Sequence, residues 1–464
     1  MRTAPAPSPE TDFAPFAGQR IAVVGLGRAG LPAARRLCNW GAEILCWDDQ
    51  PASRAAAEAA GLPVDDPCAA PGFPFDALLL SPGIPHILPK AHPAAARARE
   101  AGVPVLCDAE LLFRALRTAG SRARFIGITG TNGKSTTTAL AHHLLRSAGR
   151  ASEVGGNLGP AALGLPLLGD DGIYVLEMSS YMLERIDRLH FDLAAVLNLS
   201  PDHLDRHGDM AGYAAAKARI FANQTAADVA VIGMDDASGA QFAAGRAARV
   251  VPVSGSTPQP GGIWAEERLL RDAQGIIANL NDAPALPGSH NAQNAAAAAA
   301  IGFALGLTRG EIAAGLRSFP GLPHRQERVG TREGITFVND SKATNADSAA
   351  RALASYDRVV WIAGGVPKAG GIDSLAPLFG RIAHAVLIGQ CAGDFAATLS
   401  AHQVANEVAV TLDAALPAAW AAARRLGVPV VLLSPACASF DQFTGFDARG
   451  DAFRALVAEL PETV

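Results

Sequence analysis

The chain has 464 residues, more than one hydrophobic core can organise, so two or three domains are expected. Hydrophobic residues make up 49% and charged residues 18%, an ordinary globular balance, and a net charge of -5 gives no electrostatic reason to expect nucleic acid or an anionic membrane as partner. The six cysteines show no Cys-x-x-Cys and no paired spacing, which argues against a zinc site and reads as free thiols of a reducing cytosol.

The residues before Gly18 are rich in Pro and Ala and lack the basic and apolar regions of a signal peptide, so a loose tail is expected. Ile21 to Val24 reads as a buried strand. Gly25-Leu26-Gly27-Arg28-Ala29-Gly30 follows and opens a helix to about Trp40, and a second strand, Glu43 to Trp47, ends in Asp48-Asp49. This Gly-x-Gly-x-x-Gly turn places backbone N–H groups against a nucleotide diphosphate, with Asp48 at the next strand end to bind a ribose hydroxyl. Taken alone it suggests a nicotinamide enzyme, and a tight strand–helix turn with no ligand explains it too. A third strand, Ala77 to Leu80, ends in Ser81-Pro82-Gly83, at the carboxyl edge where open sheets bind ligands.

Phe125 to Thr129 is a short apolar strand, and Gly130-Thr131-Asn132-Gly133-Lys134-Ser135-Thr136 turns into a helix running to about Ala148. Backbone N–H groups, the Lys134 charge and the Ser135 hydroxyl together make a cradle for phosphates and a magnesium ion. Ile128 stands where the general phosphate-loop pattern has glycine, and Gly130 does the turning. Asn157 sits in a glycine turn, and the strand Ile173 to Leu176 delivers Glu177, placed to ligate Mg²⁺. A strand from Ala194 to Leu199 ends in the polar run Asp202-His203-Leu204-Asp205-Arg206-His207; helix capping by Asp202 or Asp205 explains part of it. Lys217 lies on a following helix among alanines, where a lysine usually snorkels to solvent.

Val250 to Asn281 reads as a small β-hairpin region. Ser289 is a candidate N-cap for an alanine-rich helix whose Asn291 and Asn294 share a face, and whose polar residues argue against a membrane span. Gly321 to Arg325 reads as a hinge. Beyond it, strands at Phe337-Val338, Val359 to Ala363, Ala385 to Ile388 and Val430 to Leu433 alternate with helices, a largely parallel sheet whose functional loops lie along its carboxyl edge. The fold class is α/β in three domains: a Rossmann-like N-terminal domain (1–118), a central phosphate-loop ATPase-like domain (119–320) and a Rossmann-like C-terminal domain (321–464). A diphosphate turn, a triphosphate cradle and a polar sheet edge together suit ATP-dependent amide formation, in which a carboxylate takes the γ-phosphoryl group and an amine attacks the acyl phosphate.

Gly130 to Thr136, Glu177 to Ser180, Asp202 to Arg206, Ala216-Lys217, Gly288 to Asn294, Leu322 to Arg325, Asn339 to Asn345 and Ser434 to Phe443 closely resemble the Mur ligases, over nearly the whole chain from Ile21 onward. The resemblance implies that Gly130 to Thr136, Asn291, Asn294, Arg325 and Asp340 bind ATP, and that Ser135, Glu177, His203 and a carbamylated Lys217 hold Mg²⁺. It implies Lys134, His203, Lys217 and Glu177 as catalytic residues. Gly27, Arg28, Ala29, Gly30, Asp48, Ser81, Pro82, Gly83, Asn157 and His203 would hold UDP-N-acetylmuramoyl-L-alanine, while Lys342, Thr344, Lys368, Ser439, Phe440 and Phe446 would receive D-glutamate. Ala29 stands where the family commonly has Ser or Thr, and Met182 where it has Gln. A cytoplasmic monomer working in peptidoglycan precursor synthesis, without nucleic-acid or membrane partners, is the implied setting; another Mur-type or folylpolyglutamate-type amino-acid ligase is the alternative.

Overall fold

The computed structural model describes residues 13–27, 29–69, 71–367 and 370–461. By contacts the chain resolves into two units, one running up to Asn279 and taking in Ala292–Leu316, the other comprising Leu280–Asn291 and the chain from Arg317 onward. Three sheets carry the architecture, and the fold is α/β as expected.

The first unit holds two sheets. A four-stranded parallel sheet runs in the order Glu43–Trp47, Arg20–Val24, Ala77–Leu80, Val105–Leu106. Arg20–Val24 and Ala77–Leu80 are near-continuous apolar runs because helices cover both faces of a parallel sheet. Three helices escaped the sequence reading: Pro51–Ala59, Pro93–Glu100 and Asp108–Thr118. The last packs the two sheets together, with Phe113 edge-on to Phe125 at 5.3 Å between ring centroids. Its Glu110 is fully buried, yet its carboxylate accepts the N–H groups of Asp187, Arg188 and Leu189 and pairs with Arg114 at 2.6 Å, so the buried charge is satisfied.

The second sheet has nine strands, in which Arg124–Thr129 lies between Ile173–Glu177 and Leu193–Val196 and runs parallel to both. The carboxyl ends of three neighbouring strands therefore open side by side, which is where this class of sheet binds ligands. The expected strand from Ala194 to Leu199 is shorter, stopping at Val196. The expected hairpin region is present and is joined to this sheet: Arg249–Ser254 adds in parallel to Val229–Gly233, Ile263–Glu266 follows in parallel, and Leu269–Asp272 and Gly275–Asn279 continue to the edge as antiparallel hairpins. Leu286 and the alanine-rich helix Ser289–Ala304 follow, the helix buried from 291 to 300. Ser289 is its first residue rather than the cap before it.

In the second unit a six-stranded sheet runs Glu327–Arg332, Ile335–Asn339, Val430–Leu433, Val359–Gly364, Ile382–Ile388, Asn406–Val410, parallel except for the first pair. Successive residues feed opposite cores: Val338 and Trp361 pack on one face, Phe337 and Val360 on the other.

Candidate active site

The strand Arg124–Thr129 runs into Gly130, and Gly133, at φ 81°, starts the helix Lys134–Ser147. A Cβ at Gly133 would lie 2.3 Å from Asn294 Oδ1, so glycine is required by space as well as by backbone conformation. The loop is braced from two sides. Asn132 N–H donates to Asn198 Oδ1 (2.8 Å) while Asn198 Nδ2 donates back to Asn132 O (3.2 Å), and Thr137 Oγ1 donates to Asn294 Oδ1 (3.1 Å). Asn198 was not anticipated, although a polar residue ending an apolar strand was the available signal.

Two ammonium groups converge on one carbonyl. Lys134 Nζ donates to Gly130 O (2.9 Å) and Thr131 O (2.8 Å), and Lys217 Nζ donates to the same Gly130 O at 2.8 Å. Lys217, expected to snorkel, is instead buried, its Nζ 4.5 Å from the centroid of the Tyr213 ring. Burial and the neighbouring Lys134 charge push its pKa well below the ordinary lysine value, against the weaker pull of Asp202 and Glu177.

Glu177 is also buried. Asn157 Nδ2 donates to Oε1 at 2.6 Å, whereas Oε2 has no hydrogen-bond partner among the described residues. A buried carboxylate oxygen without a donor, at the end of the strand paired with Arg124–Thr129, and the buried Ser135 hydroxyl at the helix start are both ligands suited to a hard divalent cation. His203 sits on the next strand's loop at φ 53°, left-handed for a non-glycine residue, with its ring 5.0 Å from that of Tyr181. Desolvation, then Lys217, Lys134 and His207, hold its imidazole below the ordinary pKa, opposed by Asp202. Neither Asp202 nor Asp205 caps the helix after this loop; Asp209 caps Met210–Ala218 by accepting from Gly212 N–H at 2.8 Å.

The glycine turn after the first strand faces a cavity of about 330 Å³ lined by Ala29, Gly30, Ser81, Pro82, Asn157 and Met182, among others. Gly25 and Gly30 are packing glycines: a Cβ would lie 2.6 Å from Ser81 Cβ and 1.8 Å from Gly25 O, respectively. Gly27 and Gly83 meet nothing within 4 Å, which leaves their backbone open to close approach by a ligand. The Asp48 carboxylate accepts from Leu26 N–H (2.6 Å) and Gln50 N–H (2.8 Å), so it shapes the turn itself. Arg28 and Lys368 lie outside the described residues.

Residues 128–302 match the family model of the Mur ligase middle domain. Across the whole length, the chain is 50% identical over 453 residues to the UDP-N-acetylmuramoylalanine–D-glutamate ligase of Caulobacter sp. (strain K31), covering 95% of this chain and 96% of that one. It is 48% identical over 458 residues to the ligase of the same name from Phenylobacterium zucineum (strain HLK1), covering 96% and 97%. The chain belongs to the Mur ligase family. The fold is shared with the crystal structure of the UDP-N-acetylmuramate-alanine ligase of Thermotoga maritima, at a TM-score of 0.59 and 17% identity over 96% of this chain and 100% of that one. MurF from Acinetobacter baumannii aligns with a TM-score of 0.55 and 22% identity, over 77% and 81%.

The second unit of this Mur ligase carries the remaining candidates. Asn291 Nδ2 donates to Pro287 O (2.7 Å), and Arg325 N–H donates to Leu322 O (3.2 Å). Asp340 is buried, accepting from Ser434 Oγ (2.7 Å) and Gln326 N–H (3.2 Å), and burial raises its pKa to about 7. Lys342 Nζ lies 3.6 Å from the centre of the Phe446 ring, and Thr344 N–H donates to Lys342 O. Ser439 Oγ is buried with no partner among the described residues, while the adjacent Phe440 is 72% exposed. Among the described residues no helix is long and apolar enough to cross a membrane.

Proposed function

We infer that this chain is a UDP-N-acetylmuramoylalanine–D-glutamate ligase, joining D-glutamate to UDP-N-acetylmuramoyl-L-alanine with ATP cleaved to ADP and phosphate. The observation that carries the reading is the half-identity, over nearly the full length, to ligases of that name. The chemistry follows from the residues. The Gly130–Thr136 loop and Lys134 cradle the ATP phosphates, and the substrate carboxylate, held from the Gly27, Ser81 and Asn157 side, takes the γ-phosphoryl group. The acyl phosphate is then attacked by the glutamate amine, and phosphate leaves as the amide forms.

Ser135, Glu177, His203 and Lys217 are the residues that would hold Mg²⁺, which when bound neutralises charge on the transferred phosphoryl group. As an ammonium, Lys217 would oppose a cation there. Its depressed pKa supplies the neutral amine that adds to carbon dioxide, losing a proton to give an anionic carbamate. Asn291, Asn294, Arg325 and Asp340 serve the adenine nucleotide, and Lys342, Thr344, Ser439, Phe440 and Phe446 the glutamate, whose two carboxylates call for cations. We place the domain divisions at 118/119 and 320/321 and the protein in the cytoplasm as a monomer. The test is phosphate release by the purified chain with ATP, Mg²⁺, the nucleotide sugar and D-glutamate. Release should require all four; release that persists without the nucleotide sugar, or no release at all, contradicts the reading.

A further inference from the structure

Arg185 follows the short helix Ser180–Leu183 and is among the largest fully buried side chains of the chain. Its guanidinium donates from Nη1 to Leu80 O (2.8 Å) and Ser81 O (2.9 Å), and from Nη2 to Ile84 O. Arg206, on the short helix Leu204–His207, donates from Nη1 to Gly83 O (3.2 Å) and lies over the Tyr181 ring at 4.2 Å. Four carbonyls of one five-residue stretch are therefore received by two buried cations that come from the other sheet of the same unit.

Apolar packing would join two sheets without the cost of desolvating two guanidinium groups. What an arginine fork adds is geometry: several donors in one rigid plane fix the positions of several acceptors at once. Burial lowers the Arg185 pKa only to about 10, so the group is charged at neutral pH. Its neighbour Glu184 extends the grip, with Oε2 3.8 Å from His86 Nδ1 and Oε1 3.0 Å from His207 Nδ1. With the loop's carbonyls held, the Gly83 N–H has no partner among the described residues, and open space lies over its Cα.

We propose that Arg185, assisted by Arg206, is a positioning residue for the nucleotide-sugar substrate. It holds the stretch Leu80–Ile84 at a fixed distance from Glu177 and the phosphate loop, and so sets how closely the substrate carboxylate approaches the γ-phosphate. This rests on the reading of Ser81 to Gly83 as a substrate loop.

The experiment uses the full chain with Arg185→Met, Arg185→Lys and the milder Arg206→Met. Phosphate release gives KM for each of the three substrates, and calorimetry with the nucleotide sugar alone and with an ATP analogue alone gives binding without turnover. Arg185→Met is expected to raise the nucleotide-sugar KM about tenfold and to lower kcat, with the ATP KM changed by less than about twofold. Arg185→Lys should fall between, and Arg206→Met should shift the same constant by a smaller factor. Nucleotide-sugar KM and affinity equal to wild type in Arg185→Met overturn the proposal, as does a parallel rise in all three KM values, the mark of a merely structural role. If Arg185→Met does not fold, Arg206→Met decides by the same criteria. Failure of the ligase reading is distinguishable, because then the wild-type chain itself releases no phosphate, while the calorimetric comparison still tests the loop.

Discussion

Lys134 and Lys217 put two ammonium groups on the single carbonyl of Gly130, an arrangement that disfavours charging both. Lys217 is buried, and burial together with the Lys134 charge holds its pKa well below the ordinary lysine value. Replacing it by alanine is expected to cost about 100-fold or more in kcat, the scale of a lost charge-stabilising group. Added formate or acetate should restore part of the rate by supplying the anionic oxygen; full activity of Lys217→Ala would remove the carbamate. Asp340 gives a separate test. Its folded pKa of about 7 lies above the ordinary carboxylate value of 3.8, so between those values the folded state binds more protons than the unfolded chain. Stability from this group is complete below about pH 4 and falls as pH rises to about 7. Urea titrations at pH 5 and pH 8 should show a steeper loss in wild type than in Asp340→Asn, by roughly 3 kcal/mol at most. An identical slope in the two proteins would show that Asp340 does not titrate there. Neither property of these residues was visible in the sequence. Lys217 among alanines has the pattern of a solvated helix face, and only the approach of Gly130 makes it a buried one. Lys134, by contrast, was legible because its partners are three and four residues away.

At the scale of elements, the phosphate loop depends on one glycine more than on its overall richness in glycine. Gly133→Ala would set a Cβ 2.3 Å from Asn294 Oδ1 at a φ of 81°. The expected cost is about 1–3 kcal/mol of stability, with weaker ATP binding as the loop shifts. Thermal melts with and without an ATP analogue check both; an unchanged melting temperature and unchanged nucleotide response would contradict the packing argument. Strands buried on both faces, such as Ala77–Leu80 and Val430–Leu433, fall where the sequence placed them, since a short apolar run between turn residues has few other solutions. The helices Pro51–Ala59 and Pro93–Glu100 left little trace, because they bury only alanines, and alanine gives weak hydrophobic periodicity. Strand pairing was less legible than strand location. The segment from Arg249 to Asn279 reads locally as hairpins, and only the edge offered by Val229–Gly233 recruits it into the nine-stranded sheet.

For the whole molecule, the candidate site is assembled by topology. Three parallel strand ends in the nine-stranded sheet bring the phosphate loop, Glu177 and the segment ending at His203 together, although the sequence spreads them over more than seventy residues. Arg185 and Arg206 then tie the stretch Leu80–Ile84 of the four-stranded sheet to the nine-stranded one. Those long-range arginine contacts could not be read locally, since their carbonyl partners carry no side-chain signature. The second unit carries a polar edge of its own, with Lys342 Nζ over the Phe446 ring and a buried Ser439 hydroxyl that has no partner among the described residues. Amino-acid choice is therefore the property on which the central claim turns. The direct measurement is phosphate release and product mass for the purified chain with ATP, Mg²⁺ and UDP-N-acetylmuramoyl-L-alanine, across a panel of D- and L-amino acids. Release is expected with D-glutamate as the one amino acid that supports it, with a product heavier by one glutamyl residue; release driven by another amino acid, with D-glutamate inert, would rule out the D-glutamate ligase activity.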